Sequence, residues 1–382
     1  LPVLIVNHAF FMQQALAAAR QSLYITSPNP RVGCVIVHHN QIIARGATQM
    51  AGGAHAEVMA IRQAQSQGFT AWDEAVFYVT LEPCSHHGRT PPCVEALIAL
   101  KPKQVVIAML DPNPVVAGRG VQQLRTAGIE VVTGVETEAA LVINVGFVSR
   151  MVRNLPWVWL KTASSLDGRT ALANGESKWI TGAAARLDGQ QFRARSCVVL
   201  TGIGTVLADD PQLNVRDIAT PRQPIRAVID SHLRFPLDAN MLDGHPVWIF
   251  TCVQQPDRLQ PLADKNAQVI VLNANADGQV DLHSVMRWLA QQQINEVHVE
   301  AGARLNGALL QAGYVDSLIS YIAPVLLGEG RPVTQINPLS HLDQAYRFEL
   351  LQSQKVGDDV RLIMRQPQSW HTLLSHLQQL SQ

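Results

Sequence analysis

Charge is scarce in this chain. Of 382 residues only 16% are Asp, Glu, Lys or Arg, and 30 acidic residues cancel 30 basic ones. A balanced chain lacks the basic surplus of a surface that binds nucleic acid or anionic lipid broadly. Aromatic residues are also thin, at 5%, which argues against the interleaved basic and aromatic stripe of a nucleic-acid-binding domain. No run of about 18 apolar residues occurs, so no transmembrane helix is expected. The opening LPVLIVNHAFF is too short, and has no charged leader, to read as a secretory signal. The 5 cysteines, an odd number, suit a reducing cytosol better than a disulfide framework. What the chain does have is apolar mass: 47% of it is hydrophobic, at a length that one core seldom organises. The expectation is a soluble, cytoplasmic, two-domain protein with neither a nucleic-acid nor a membrane partner.

Along residues 1–150, helical and strand patterns alternate. Asn7 to Gln21 and Ala56 to Gln67 read as helices, GCVIVH and QIIARG as paired strands, and AVFYVTL as a further strand. Strands separated by helices of this length predict a mostly parallel sheet covered on both faces. The pattern changes around Met151 to Pro156, where a second α/β series begins and runs to residue 366, its last strands antiparallel. Residues 367–382 read as a tail, with at most a short surface helix.

The first series carries a metal-ligand pattern. His55-Ala56-Glu57 stands where a helix begins, Cys84 follows the strand AVFYVTL, and Cys93 comes just after Pro91-Pro92. One imidazole and two thiolates would hold zinc with a fourth position open to water, as a catalytic site requires. Glu57 is close enough to move protons as general acid and base, the pattern of zinc deaminases. The bland alternative is two buried thiols and an ordinary helix-start histidine. HAE alone would not exclude that, but HAE with LEPC and a second cysteine does. Eight residues, SHHGRTPP, separate the cysteines where Pro-Cys-x-x-Cys is the common spacing.

That insertion is informative. TSPNPRVGCVIV, HAEVMAI, YVTLEPCSHHGRTPPC and DPNPVVAGRG resemble the deaminase half of the bifunctional riboflavin-biosynthesis deaminase/reductase family. The resemblance implies a cytidine-deaminase-like three-layer α/β domain. It also implies removal of an amino group from a diaminopyrimidinone that carries a ribosylamino 5′-phosphate. His86, Arg89 and Thr90 would offer donors to phosphate or sugar, and Asn29, between two prolines, would read the pyrimidine edge. Asp111 and Asn113 are either ligand contacts at a strand end or simple turn residues. The chain departs from the family at two places: Thr48 stands where a histidine is usual, and Met59 replaces the second histidine of HAEVHA.

The second series has no full G-x-G-x-x-G. Thr201-Gly202-Ile203-Gly204-Thr205 holds half of it, and Gly302 opens a helix after the strand EVHVE. LKTASSLDGRTA, GESKWITG, TVLADDPQLNVR, RAVIDSHLR, HVEAGARLNGALL and YIAPVLLG resemble the reductase half of the same family. This implies a dihydrofolate-reductase-like α/β domain that uses NADPH to reduce the ribosyl group to ribityl. Under that resemblance Ala163, Trp179, Thr205, Asp209, Ser231, Gly302, Ala303, Arg304, Leu305, Asn306 and Gly307 would face the cofactor. Ser177, Arg193, Leu213, Arg216 and Glu300 would face the substrate, the two arginines suiting a phosphate. Lys161 and Asp167 lie inside the motif with no role assigned, and Arg234 joins Arg304 as a possible partner of a 2′-phosphate. A homodimer is implied by the family alone.

Overall fold

The computed structural model describes residues 7–86 and 91–381. The chain divides into two compact units, one ending at Arg153 and taking in the segment from His371, the other running from Asn154 to Trp370.

The first unit opens with α1 (His8–Arg20), the hairpin β1 (Gly33–His38) and β2 (Gln41–Ala47), and α2 (Ala56–Ser66). It continues through β3 (Val76–Val79), α3 (Cys93–Leu100), β4 (Gln104–Ile107), α4 (Arg119–Thr126), β5 (Glu130–Thr133) and α5 (Thr137–Arg153). The five strands lie in the order β2-β1-β3-β4-β5. The sheet is mixed, which corrects the expectation of a mostly parallel one. β1 pairs antiparallel with both β2 and β3, and only β3–β4 and β4–β5 are parallel. A short turn joins β1 to β2, and such a turn can only reverse direction.

Two glycines explain how helices cover both faces. A Cβ on Gly33 would sit 1.9 Å from the Ala15 carbonyl oxygen of α1, and one on Gly46 would sit 2.0 Å from that of Ala56 in α2. Gly33 pairs with Ala47 while Cys34 pairs with Gly46, so the two glycines lie on opposite faces of the hairpin. Each lets one helix approach to backbone contact, giving the three layers.

The second unit contains β6 (Trp157–Ser165), β7 (Arg169–Leu172), α6 (Ala183–Arg195), β8 (Val198–Gly202), α7 (Ile203–Asp209) and β9 (Ile225–Ile229). Then come β10 (Val247–Thr251), α8 (Pro256–Ala263), β11 (Ala267–Val271), α9 (Leu282–Gln291), β12 (Glu296–Val299) and α10 (Ala303–Gln311). The last strands are β13 (Ser317–Ala323), β14 (Gly330–Pro332), β15 (Glu349–Val356) and β16 (Asp359–Arg365), and α11 (Pro367–Leu380) follows, belonging to the first unit from His371 on. Nine strands form one sheet, ordered β11-β10-β9-β8-β12-β6-β13-β16-β15. The pairings from β11 to β13 are parallel and the last two antiparallel. Alternation along β8 sends Val198 and Leu200 to the core that holds Val285 and Leu289 of α9, and Val199 to a second core around Phe235 and Leu262.

α11 corrects the expected polar tail. Trp370, Leu373 and Leu377 recur at the spacing of one helix face and are buried. Among the described residues no helix is long and apolar enough to cross a membrane.

Candidate active sites

His55 caps α2 from an extended backbone, which turns its ring away from the helix and back over the loop that follows β3. Cys84 lies in that loop and Cys93 is the first residue of α3. Burial of the loop end is shared by a hydrogen bond from the Cys93 amide to Cys84 Sγ at 3.2 Å. His55 Nδ1 stands 3.5 Å from Cys84 Sγ and 3.3 Å from Cys93 Sγ. Tetrahedral zinc with ordinary Zn–N and Zn–S bonds would set this edge at about 3.5 Å. Both cysteines are free thiols, not a disulfide. The donor set and its spacing fit zinc.

Glu57, in the first turn of α2, is 3% exposed. Burial, with the Cys84 thiolate next in weight, pushes its carboxyl up to about 7. Hydrogen bonds from Cys93 and His55 pull the Cys84 thiol below its ordinary range, while the same contact pushes the Cys93 thiol upward.

The loop carrying Asn29 is clamped from behind. Asn144 accepts from the Arg31 amide at 2.7 Å and donates to the Arg31 carbonyl at 2.9 Å. At Asn144 α5 departs from helical geometry (φ −111°, ψ 18°). Asn29 itself is half-buried, and its amide closes a turn on the Thr26 carbonyl. His86 is exposed, and Arg89 and Thr90 lie outside the described residues. Asp111 and Asn113 are turn residues: each carboxyl or amide oxygen accepts from the backbone two residues on, at 2.8 and 3.1 Å. Thr48 is buried and donates to the Val32 carbonyl at 3.4 Å. Met59 is half-buried on α2.

One residue beside the cysteines was given no role in the sequence reading. Glu82 is buried, and its carboxylate accepts four backbone N–H groups: Asp111 (3.1 Å), Gly118 (2.9 Å), Gly120 (2.9 Å) and Val121 (3.2 Å). It fastens the start of α4 to the strand end that carries Cys84. The signal was present as the acidic residue of LEPC.

In the second unit, adjacent parallel strands β8 and β12 end in two glycine turns. Gly202 caps α7 and Gly302 caps α10, both from extended backbone. The two turns face one another. A Cβ on Gly202 would meet Leu305 at 3.5 Å, and one on Gly302 would come no closer than 4.0 Å to Thr205 Oγ1. Gly302 and Arg304 are exposed there, with Thr205 and Ala303 half-buried. Two helix starts opening at the C-terminal edge of a parallel sheet form an anion cradle. That cradle fits a phosphorylated nucleotide cofactor.

Beside it runs a charged cluster. Arg193 of α6 and Glu300 are joined by two hydrogen bonds, one at 3.0 Å, and Lys161 Nζ is 3.9 Å from the same carboxylate. His298, fully buried, lies 3.3 Å from Glu300. Burial opposes the charge on Glu300, but Arg193 and Lys161 outweigh it and hold the carboxyl well below its ordinary range. Burial pulls Lys161 below the ordinary ammonium range. Ala163 is half-buried, two residues along β6 from Lys161 and so on the same face.

Several expected contacts are engaged elsewhere in the fold, and others stand open at the surface. Leu213 packs in the apolar core around Phe235, so its side chain serves packing. Asn306 donates to the Val333 carbonyl at 2.9 Å, and a Cβ on Gly307 would lie 1.8 Å from the Gln335 carbonyl oxygen. Both residues therefore brace α10 against the 333–335 segment. The Ser231 hydroxyl is occupied by Gln279 (3.1 Å) and the Val280 amide (3.0 Å). Asp209 is exposed at the far end of α7 from the Gly202 turn. Asp167 holds a turn, accepting from Ser165 and from the amides of Leu327 and Gly328. Trp179 is exposed under the Arg186 guanidinium, 4.3 Å from its ring centre, and Ser177 is half-buried nearby in sequence. Arg216 and Arg234 are exposed.

Comparison with known proteins agrees with this division. Residues 6–109 match the cytidine and deoxycytidylate deaminase zinc-binding region, and residues 156–362 match the RibD C-terminal domain. The chain is 46% identical over 369 residues to the riboflavin biosynthesis protein RibD of Escherichia coli K12, covering 92% of this chain and 98% of that one. The chain belongs to the RibD family. The solved Acinetobacter baumannii RibD superimposes with a TM-score of 0.85 at 45% identity, over 94% of this chain and 98% of that one. The Thermotoga maritima diaminohydroxyphosphoribosylaminopyrimidine deaminase/5-amino-6-(5-phosphoribosylamino)uracil reductase does so at 0.84 and 32% identity, with the same coverage. As a RibD the chain is a bifunctional deaminase and reductase of riboflavin biosynthesis, with a zinc-binding deaminase domain and an NADPH-dependent reductase domain.

Proposed function

We propose that the unit built on residues 1–153 removes ammonia from a diaminopyrimidinone bearing a ribosylamino 5′-phosphate. The unit from residue 154 would then reduce the ribosyl group of the deaminated product to ribityl. The observation that carries the reading is the convergence of His55, Cys84 and Cys93 beside the buried Glu57.

His55, Cys84 and Cys93 would hold zinc, which supplies Lewis acidity toward a water at its open position. Glu57 takes the proton of the attacking water and delivers it to the departing amine. Burial disfavours the charged form of Glu57, raising the carboxyl to about 7 before any metal binds, and a carboxyl held in so enclosed a place suits both taking and giving a proton. Asn29, on its clamped loop, orients the pyrimidine, and His86 with Arg89 serves the phosphoribosyl end. In the reductase, NADPH supplies the hydride. Gly302, Ala303, Arg304 and Thr205 would hold its phosphates, and Ala163 and Trp179 would lie beside its rings. Arg216 and Ser177 meet the substrate, Glu300 orients it, and Lys161 is the proton source, since burial eases its deprotonation. The chain works as a cytoplasmic homodimer.

Ammonia release by zinc-loaded protein without NADPH tests the deaminase. It should occur with the phosphoribosylated diaminopyrimidinone and fall by about 10²–10⁴ in Glu57→Gln. No release from wild type would overturn the reading. NADPH oxidation on the deaminated compound tests the second step separately.

A further inference from the structure

Among the described residues a second cluster of metal-ligating atoms occurs, remote from the cysteines. His38 ends β1, and His39 with Asn40 forms the two-residue turn into β2, both with positive φ (49° and 61°). Successive residues on a strand point to opposite faces. The left-handed turn instead folds His39 back, so that its ring centre lies 3.9 Å from that of His38. Glu74 closes the group from a single 3-10 turn, Trp72–Glu74, just ahead of β3.

Both imidazoles aim the same atom at the same oxygen. Glu74 Oε2 is 3.4 Å from His38 Nε2 and 3.1 Å from His39 Nε2. The three ligand atoms lie within 4.8 Å of one another. A tetrahedral ion with bonds of about 2.0–2.1 Å sets such edges at about 3.3 Å. His38 Nε2 is buried, makes no hydrogen bond, and has Glu74 Oε2 as its neighbour at 3.4 Å, so the atom faces the cluster without a satisfying partner there. Phe69 packs edge-on against His38 at 5.3 Å and against Trp72 at 5.0 Å, which fixes the ring from behind.

We propose that His38, His39 and Glu74 form a second metal site, for a borderline divalent ion of the zinc type. Two imidazoles and one carboxylate suit such an ion and not the hard oxygen-seeking cations. The site is separate from the deaminase centre. Val37 pairs with Val76 and Cys34 with Val79, so Glu74 enters β3 at one end and Cys84 leaves beyond the other. With His39 at 72% and Glu74 at 54% side-chain exposure, the ion would be exchangeable. Without thiolate it would be held more weakly than in the cysteine centre. Bound there, it would tie the hairpin tip to the approach of β3.

The test is Zn²⁺ titration of full-length protein whose cysteine centre is already filled, followed by calorimetry and by metal analysis at equilibrium dialysis against free Zn²⁺. A second equivalent of zinc is expected per chain. It should be lost in both His39→Ala and Glu74→Gln, while the first equivalent and ammonia release persist. Both substituted side chains are largely exposed, so folding should survive, and ammonia release checks this. Mg²⁺ should give no binding signal. A wild type that stops at one equivalent, or a second equivalent that survives in both variants, overturns the proposal.

Discussion

Arg193 holds Glu300 with two of its nitrogens, and its remaining Nη1 donates to the Asn214 carbonyl at 2.8 Å. The guanidinium is thus spent within the protein, bracing the end of β12 and the Leu213–Arg216 segment together. A phosphate fork made by Arg193 and Arg216 was the expectation, but of the two only Arg216 is exposed, its guanidinium held loosely by Asn214 Oδ1 at 3.4 Å and the Asp217 carboxylate at 3.9 Å.

The two arginines should therefore fail differently. Arg193→Ala leaves the buried Glu300 carboxylate without its main partner, a loss of about 3–5 kcal/mol, visible as a lower melting midpoint. Arg216→Ala should leave the midpoint unchanged and raise the reductase KM for the phosphorylated substrate about tenfold. Equal midpoints in the two variants would refute this division.

Glycine substitutions separate the cradle from its brace. Gly307→Ala forces a Cβ to 1.8 Å from the Gln335 carbonyl oxygen, and should destabilise the second unit by several kcal/mol, on the order of ~3. Gly302→Ala meets nothing closer than 4.0 Å. It should fold normally and raise the KM for NADPH. Thermal melts beside NADPH oxidation kinetics would check both.

Glu82 offers a test of remote positioning in the deaminase. Glu82→Gln turns an NH2 toward backbone donors that now meet a carboxylate oxygen, costing about 2–3 kcal/mol. Ammonia release should drop, while reduction of the already deaminated compound continues at the wild-type rate. Parallel loss of both activities would argue against it.

A pH-linked prediction concerns Arg226, buried at 1% exposure and paired with Asp243 at 2.8 and 3.0 Å. Burial disfavours the Asp243 charge, but the Arg226 guanidinium outweighs it and holds the carboxyl at about 2, below its ordinary 3.8. A depressed carboxyl stabilises the fold above its unfolded value, and that stability disappears as pH falls through the folded one. With Asp243 exposed enough for water to screen the pair, it should contribute no more than about 1 kcal/mol at neutral pH. Melting midpoints of wild type and Asp243→Asn should differ most above about pH 4 and converge toward about pH 2. A pH-independent difference would contradict this.

Much of the fold was legible. The strand and helix segments of both units follow apolar periodicity closely, and strands that drew on alternation, such as β8 and β13, fall where their residues predict. β7, β14 and β15 were not anticipated. β7 and β14 are short, and the β15 residues are mostly exposed, so burial left little pattern to read. The β1–β2 hairpin was expected from its short turn, but the antiparallel pairing of β1 with β3 was not, because periodicity reports faces and not direction.

The candidate metal ligands His55, Cys84 and Cys93, and Glu57 beside them, were picked out by sequence alone, since a His-x-Glu helix start and two proline-flanked cysteines name the donor atoms, and folding brings those atoms together. The glycine turns were likewise visible, each following a strand and opening a helix. Tertiary structure decided which side chains remain free. Arg193, Ser231, Asn306 and Gly307 carry suitable chemistry in one dimension, yet each is claimed by a partner far along the chain. The same holds for Glu82, whose four amide partners are 29 to 39 residues away, and for His38, His39 and Glu74. Hydrogen-bonding capacity is local to a residue, but its satisfaction depends on what folding brings beside it.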